Sequence, residues 1–224
     1  MSVADQPGMI PALRYRWLTP AYDLVVRLTT RESLFKTVLV AQLALARKSR
    51  VLDLGCGTAT LTLLIKSRLA DAEVHGVDGD PAILRIARAK VVKANLPIEL
   101  RHAMAQALPY PREWFDCVVS SLFFHHLDRP GKLASLAEAH RVLKPGGMLH
   151  IADWGRATGL FTRAAFYSIQ MLDGYQNTSD NVRGMLPELM ARAGFESARE
   201  THRFLTMYGN LALYRAEKSA PRSL

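Results

Sequence analysis

Hydrophobic residues recur along this chain in two alternating periods. Short apolar runs rich in β-branched residues predict strands, and apolar residues three or four positions apart predict helices. The first such pair is a strand at 50–54 and a helix at 58–69. The same pattern predicts further strands at 73–78, 96–101, 115–121 and 148–153, and further helices at 81–95, 131–143 and 187–193. Residues 195–217 predict a β-hairpin that turns near Gly209-Asn210.

This alternation predicts an α/β fold. Strands joined by helices form right-handed βαβ crossovers, so they make a parallel sheet with helices on both faces, and the hairpin adds an antiparallel strand at one edge. Residues 9–47 predict two or three amphipathic helices, and residues 154–180 interrupt the alternation. We therefore expect an N-terminal helical lid at 1–47, a main domain at 48–217 with a lid insertion at 154–180, and a flexible tail at 218–224.

The loops after the first two strands carry the strongest chemical signal, because ligands of such sheets bind at the carboxyl ends of the strands. Gly55 and Gly57 let the backbone approach a ligand, although they could serve only the tight turn into the helix. Asp53 ends the first strand and would repel a pyrophosphate but attract a cation. Asp78 ends the second strand 25 residues later, where a carboxylate accepts both hydroxyls of a ribose or, alternatively, closes a turn.

These residues together favour a nucleoside that has a ribose and a positive charge but no phosphate. A dinucleotide-binding loop would place a third glycine at position 60, which is Thr60 here. S-adenosylmethionine, with its sulfonium and α-ammonium groups, fits this description. A nicotinamide dehydrogenase, the other candidate for such a fold, is disfavoured by Asp53 and Thr60.

The segment Val51-Leu52-Asp53-Leu54-Gly55-Cys56-Gly57-Thr58 resembles the first motif of the class I S-adenosylmethionine-dependent methyltransferases. The resemblance continues through the segments at 76–78, 107–111, 115–120, 125–127 and 143–147. From about residue 15 to residue 217 the chain is similar to the small-molecule branch that includes the ubiquinone/menaquinone C-methyltransferases. The family implies a Rossmann-like, mainly parallel seven-stranded sheet of order 3-2-1-4-5-7-6 with strand 7 antiparallel, and S-adenosyl-L-methionine as cofactor.

The resemblance also implies which residues surround the cofactor. They are Tyr22, Asp53, Gly55, Cys56, Gly57, Asp78, Gly79, Ser120 and Ser121. Asp53 would act on the amino-acid end, Asp78 would bind the ribose, and Gly79 would lie beside the adenine. Ser120 and Ser121 would lie next to the methionine moiety, and Tyr22 would cover the cofactor as a lid contact.

The chain departs from the family pattern at two positions of this site. Met104 stands where the family usually has an acid that accepts from adenine N6, so the backbone N–H of Ala105 and the side chain of Gln106 are the expected adenine contacts. Ala59 replaces the third family glycine and adds a methyl group to the loop.

Three candidate catalytic residues follow the next two strand ends. His125 and His126 lie after the fourth strand, and Asp153 ends the fifth. One histidine could be a general base for an O–H or N–H nucleophile, or the pair could only pack the loop. Asp153 could be a base, a substrate anchor or a helix cap. Methyl transfer from a sulfonium is an in-line displacement that depends mainly on positioning in an enclosed, dry pocket. It requires no metal, and the sequence indicates none.

Segments outside the core should form the pocket for the methyl acceptor. Their candidate residues are Arg14, Tyr15, Trp17 and Tyr22 near the N-terminus and Trp154, Phe161, Phe166, Tyr167, Met171 and Tyr175 in the insertion. The second group either packs internally or faces the crevice, where it would favour an apolar or aromatic acceptor. A lid favours an enzyme that acts on a small, enclosed acceptor. The alternatives are a lipid-headgroup methyltransferase, a nucleic-acid methyltransferase and a non-catalytic S-adenosylmethionine-binding protein.

Charge and cysteine content change this picture little. The 224 residues include 29 Lys+Arg against 20 Asp+Glu, a formal net charge of +9. Without a run of five like charges or basic–aromatic interleaving, a nucleic-acid partner is disfavoured, whereas peripheral membrane contact and a homodimer are compatible with the sequence.

Cys56 and Cys117 are far apart and form no CxxC pair. No 18-residue apolar stretch or signal-peptide pattern occurs, so we expect a cytoplasmic location.

Overall fold

The computed structural model describes residues 32–220. The strands in this part of the chain are β1 (Arg50–Leu54), β2 (Glu73–Asp78), β3 (Ile98–His102), β4 (Phe115–Ser121), β5 (Leu143–Trp154), β6 (Glu196–Thr206) and β7 (Gly209–Glu217). The helices are α1 (Glu32–Ala41), α2 (Thr60–Arg68), α3 (Pro81–Ala94), α4 (Arg129–Val142), α5 (Leu160–Asp173), α6 (Tyr175–Arg183) and α7 (Leu186–Arg192). A single 3₁₀ turn, Phe124–His126, follows β4.

The seven strands form one sheet in the order β3-β2-β1-β4-β5-β7-β6. β1 to β5 pair in parallel, and β7 lies antiparallel between β5 and β6. The order and the strand directions confirm the expected fold. β1 is central, with Asp53 opposite Gly76 of β2 on one side and Val119 of β4 on the other. The loops that follow β1, β2, β4 and β5 therefore all begin at the same edge of the sheet.

Alternation along β1 gives the sheet two different buried faces. Leu52 and Leu54 belong to the core under α4 and α7, and Val51 belongs to the core under α1, α2 and α5. Because side chains in a strand alternate between faces, Asp53 shares the face of Val51. A carboxylate is thus inserted into an otherwise apolar layer.

Several boundaries differ from the sequence prediction. The hairpin turns at 207–208, two residues before the expected position, because Thr206 pairs with Gly209. The Thr206 hydroxyl donates to the Gly209 carbonyl at 2.8 Å and accepts from the Tyr208 N–H at 3.2 Å, which closes the turn. Gly209, at φ +114°, marks the end of the turn rather than its centre.

The ends of α3 and α4 are set by aspartate caps. Asp80 Oδ1 accepts from the Ala82 N–H at 2.7 Å directly before Pro81, as its position in the sequence predicts. Asp128 Oδ1 accepts from the Gly131 N–H at 2.8 Å, so α4 begins at Arg129, two residues earlier than predicted. Residues 154–180, predicted only as an irregular insertion, contain α5 and most of α6.

Parts of the predicted lid and tail lie outside the described residues. Of the lid at 1–47, the structure describes α1 and the connection to β1, whereas residues 1–31 with Arg14, Tyr15, Trp17 and Tyr22 are outside it. At the other end Lys218 is buried, and its Nζ donates to the Leu143 carbonyl at 2.8 Å. No helix between residues 32 and 220 is long and apolar enough to cross a membrane.

Candidate cofactor and active site

The loop between β1 and α2 adopts left-handed backbone at three positions. Gly55, Gly57 and Ala59 have φ values of +71°, +54° and +64°. A Cβ on Gly55 would lie 2.4 Å from the ring of Phe123, so a glycine is required there by packing as well as by φ. Around Gly57, within residues 32–220, no atom lies within 4 Å of the position that a Cβ would take. The loop is therefore open to the crevice at Gly57, and the Ala59 methyl is buried in the core.

Asp78 joins this loop to the end of β2. Its Oδ2 accepts from the Gly57 N–H at 2.8 Å, and its Oδ1 accepts from the Asp80 N–H at 2.9 Å. Burial raises the pKa of Asp78, and these backbone bonds oppose the rise. Each carboxylate oxygen can accept a second hydrogen bond. The carboxylate can thus still take both ribose hydroxyls while it holds the glycine loop in place.

Asp53 is buried at the end of β1 with one oxygen open. Its Oδ2 accepts from the Thr62 hydroxyl at 2.6 Å, and its Oδ1 has no hydrogen-bond partner among residues 32–220. Burial raises the pKa of Asp53 to about 6. A buried acceptor without a donor is costly for the free protein. The site is therefore suited to a ligand that brings a positively charged donor to this oxygen.

Two further predicted cofactor residues also hold buried atoms that are open to a ligand. Gln106 Oε1 and Ser121 Oγ have no hydrogen-bond partner within the described residues. S-adenosylmethionine carries donors along its whole length, on the α-ammonium, the ribose and the adenine amine. Open acceptors on the loops after β1, β3 and β4 fit such a ligand.

The other predicted cofactor residues are tied to the elements around the crevice or buried there. The Ser120 hydroxyl donates to the Leu54 carbonyl at 2.7 Å and so joins the ends of β4 and β1. The Gly79 carbonyl accepts from His102 Nε2 at 3.0 Å, and Ala105 is buried. Burial raises the pKa of the Cys56 thiol well above its usual range, so this cysteine is unreactive.

His125 and Asp153 form a buried pair across the ends of β4 and β5. His125 Nδ1 lies 2.7 Å from Asp153 Oδ1, and the His125 N–H donates to Oδ2 at 3.2 Å. The Trp154 N–H adds a third donor to Oδ1 at 2.7 Å. A carboxylate on Nδ1 fixes the tautomer that carries its proton there and leaves Nε2 as the basic nitrogen. The structure thus brings two of the three candidate catalytic residues into direct contact.

His126 has a different environment. Burial, followed by the charges of His125 and Lys132, lowers the pKa of His126 well below its usual range. Its carbonyl accepts from the Asn177 amide at 3.0 Å, which ties the loop to α6. Lys132, also buried, donates to the Leu127 carbonyl at 2.8 Å at the base of the same loop. These contacts make His126 part of the support of the loop.

The predicted aromatic stripe of the insertion is divided between core and surface. Trp154 and Phe166 are buried and meet edge to face at 5.7 Å. Phe161 and Met171 are 73% and 81% exposed. Internal packing, one of the two interpretations of the stripe, thus describes Trp154 and Phe166 but not Phe161 or Met171.

Comparison with known proteins agrees with this geometry. Residues 51–147 match the family described as "Methyltransferase domain". A ubiquinone/menaquinone biosynthesis C-methyltransferase of Syntrophotalea carbinolica is 30% identical over 96% of this chain and 97% of its own length. The chain belongs to the class I S-adenosylmethionine-dependent methyltransferases. A demethylmenaquinone methyltransferase of Thermus thermophilus is 34% identical over 80% of this methyltransferase and 89% of its own length.

The solved structures agree in fold. A phosphoethanolamine N-methyltransferase of Haemonchus contortus, solved with S-adenosylhomocysteine, superposes with a TM-score of 0.67 at 17% identity, over 82% of this chain and 52% of its own. The family and the relatives confirm the predicted enzyme class and the predicted cofactor, S-adenosyl-L-methionine. The cofactor supplies an electrophilic methyl group on a sulfonium.

Sequence reasoning missed several residues of this site. Thr62 bonds Asp53, Phe123 packs on Gly55, and Asn177 holds the His126 carbonyl. Thr62 could have been suggested by its place one turn inside the helix that follows the glycine loop. Phe123 and Asn177 carry no sequence signal, because their partners are set by tertiary packing.

Asp78→Asn should weaken the binding of S-adenosylhomocysteine about 10- to 100-fold, the value of a hydrogen bond to a charged group. The amide removes the charge and places an N–H₂ group against one of the two backbone N–H donors. Calorimetric titration measures the affinity. Glu73→Gln, at the opposite end of β2, is the matched control and should bind as the wild type does. Equal affinity of the two variants would remove Asp78 from the cofactor site.

Proposed function

We propose that this methyltransferase transfers the methyl group of S-adenosylmethionine to a ring carbon of a small, reduced quinone-type acceptor. The observation that carries the proposal is the pair of relatives, matched over 80% or more of the chain, whose names describe methylation in quinone biosynthesis. A reduced quinone is a small aromatic molecule with ring hydroxyls. Such an acceptor agrees with the general base that the site offers.

His125 would act on the acceptor hydroxyl. Nε2 takes the hydroxyl proton, and the electron pair that remains on oxygen is delocalised to the neighbouring ring carbon, which becomes the nucleophile. The carbon forms its bond to the methyl group in line with the bond to sulfur that breaks. The imidazolium then returns its proton to the acceptor oxygen, and the freed Nε2 takes the ring hydrogen as a proton, which restores the aromatic ring. Asp153 holds His125 through Nδ1 and stabilises the imidazolium that forms.

The surroundings of the pair support this role. His125 and Asp153 are both buried, next to Phe124 and Trp154. In a site of low dielectric constant the attraction between the imidazolium and the Asp153 carboxylate is stronger than in water. Exclusion of water also protects the methyl donor from hydrolysis.

Incubation of the enzyme with labelled S-adenosylmethionine and a reduced naphthoquinol that lacks the ring methyl tests the proposal. We expect label in the acceptor, and mass and NMR spectra that place the new methyl group on carbon. Oxidised naphthoquinone, which has no ring hydroxyl to deprotonate, is the matched control and should remain unlabelled.

Two results would overturn the proposal. Methylation of oxygen alone would show that the hydroxyl, not the ring, is the nucleophile. Binding of S-adenosylmethionine with no transfer to any quinol, phenol or amine of a panel would favour a non-catalytic binding protein.

A further inference from the structure

Helix α5 is apolar on both its inner and its outer side. On the inner side Phe166 and Ile169 are buried in one apolar cluster with residues of β1 and β5. On the outer side Leu160, Tyr167 and Met171 lie on one face, because they are seven and four residues apart. All three are exposed, Leu160 to 92%. A helix that is apolar all round is usually buried on every side, whereas nothing among residues 32–220 covers the outer side of α5.

The turn of the β6–β7 hairpin extends this exposed apolar area. Leu205 and Met207 are both exposed. The position that a Cβ on Gly209 would take lies 3.1 Å from the Thr162 carbonyl, so the turn packs on the first turns of α5. We call the combined area the outer apolar surface, and it consists of Leu160, Phe161, Tyr167, Met171, Leu205 and Met207.

The outer apolar surface lies behind the proposed catalytic pair. The Trp154 ring meets Phe166 of α5 at 5.7 Å and Tyr208 of the hairpin turn at 6.3 Å between ring centroids. The same ring meets His125 at 6.2 Å. Trp154 thus connects the helix and the turn with the proposed general base. A partner on the outer apolar surface would therefore contact the elements that enclose the catalytic pair.

The charges next to this surface are positive. Residues 154–172 contain Arg156 and Arg163 but no acidic residue, and residues 204–212 contain no charged residue. Arg156 is exposed, and the Arg163 guanidinium lies 4.4 Å over the centre of the Tyr167 ring. Exposed apolar side chains bordered by arginine and tyrosine are typical of a surface that inserts among the headgroups of an anionic bilayer.

Two other partners fit this surface less well. A second copy of the chain, packed through the same surface in a two-fold dimer, would bring the arginines of both copies together without acidic residues to pair with them. The segment at 1–31 has four arginines and two aspartates, so its charge has the same sign. Anionic lipid is the partner of opposite charge, and the formal net charge of +9 favours the same partner.

We propose that the outer apolar surface docks this methyltransferase on a bilayer that contains anionic lipid. Phe161, Met171 and Met207 enter the apolar layer, and Arg156 and Arg163 lie at the level of the lipid phosphates. α5 has 14 residues and lies along the bilayer rather than across it. This role goes beyond the proposed function, because it holds whichever acceptor receives the methyl group.

An environment-sensitive fluorophore on Phe161→Cys in the full chain tests the docking. Cys56 and Cys117 are buried, and burial raises the pKa of both thiols, so the new thiol is the reactive one. The labelled enzyme is mixed with vesicles of phosphatidylcholine and phosphatidylglycerol, or of phosphatidylcholine alone. We expect a blue-shifted emission on the mixed vesicles and binding about 10-fold or more tighter than to phosphatidylcholine, as two arginines near an anionic surface provide.

Val92→Cys, labelled in the same way, is the matched control. Val92 is an exposed apolar residue of α3, which packs on β2 and β3 at the other end of the sheet. Its label should keep an aqueous emission while the enzyme is bound to the vesicles. The double variant Phe161→Ser, Met207→Ser should bind the mixed vesicles about 10- to 100-fold more weakly, because two apolar side chains no longer enter the lipid. Its melting temperature should stay unchanged, because both side chains are exposed.

Three results would overturn the docking role. One is no binding to the mixed vesicles. Another is an aqueous emission at position 161 in the bound enzyme, which would show that a different part of the chain makes the contact. The third is a wild-type dimer that the double variant converts to a monomer in sedimentation, which would assign the surface to a second copy. None of these results bears on methyl transfer to a dissolved quinol, so failure of the docking role is distinct from failure of the proposed function.

Discussion

Asp53→Asn is expected to weaken S-adenosylmethionine binding about 30- to 3,000-fold, as for the loss of one partner of a buried charge pair. At the same time it should make the free protein more stable. Both effects follow from the burial of the Asp53 carboxylate, which has one open oxygen among the described residues. The charge is unfavourable until a cation binds, and asparagine has the same shape without the charge.

The stability effect has a defined dependence on pH. Burial raises the pKa of Asp53 to about 6, above the value of about 4 in an unfolded chain. The folded protein therefore binds more protons than the unfolded chain between about pH 4 and pH 6, so the wild type loses stability as pH rises through this window. The loss approaches roughly 2–3 kcal/mol above pH 6, and Asp53→Asn does not suffer it. Thermal unfolding at pH 4.5 and pH 7.5 should show the two proteins converging at the lower pH.

Asp116→Asn is the matched control at the opposite end of the sheet. Burial alone would raise the pKa of Asp116, but the bonds from Lys144 and from the Arg50 N–H outweigh it and lower the pKa. Asp116→Asn should therefore destabilise the protein at pH 7.5 and leave cofactor affinity unchanged. A lower melting temperature of Asp53→Asn at pH 7.5, or an unchanged affinity, would contradict the role given to Asp53.

The fold could be predicted because its signals are local. β1 and β4 are short apolar runs next to helices, and the order of the strands follows from handed crossovers once the family is known. The hairpin turn lies two residues before the predicted position because Gly209 ends the turn and pairs with Thr206. The start of β5 was missed because Pro145 and Gly146 indicate a break, whereas the structure accommodates them at an irregular pairing beside Phe115.

The candidate site could be predicted only in part, because only some of its residues carry a local sequence signal. Asp53 and Asp78 stand at strand ends next to a glycine loop, so their positions follow from the sequence. Lys36 could not be connected with this site, since its electrostatic effect on Asp53 depends on how α1 packs on α2 and β5. Its only sequence signal was an acid four residues earlier on an apolar helix face, which usually marks a surface pair. The contact of His125 with Asp153 likewise depends on the register of β4 and β5.

His125→Gln is expected to lower kcat about 100- to 10,000-fold with a quinol acceptor, the usual contribution of a general base. Glutamine fills a similar space but cannot take a proton. Because His125 contacts Asp153 and is not one of the residues assigned to the cofactor, the affinity for S-adenosylhomocysteine should change by less than about 3-fold. His150→Gln is the matched control. His150 lies on β5, where burial, with a smaller effect of Arg215, lowers its pKa to about 4, and its Nδ1 has no hydrogen-bond partner among residues 32–220. The control variant should keep the kcat of the wild type.

The acidity of the acceptor separates a general base from a residue that only packs the loop. With quinols whose hydroxyl is progressively more acidic, less of the barrier comes from proton removal, so the rate deficit of His125→Gln should shrink. A packing role predicts the same deficit for every acceptor, because misplacement of the reactants does not depend on the pKa of the hydroxyl. Single-turnover rates measured across such a series, with thermal unfolding to establish that the variant is folded, decide between the two. A rate deficit that is the same for every acceptor would show that His125 only packs the loop, the other interpretation of the sequence.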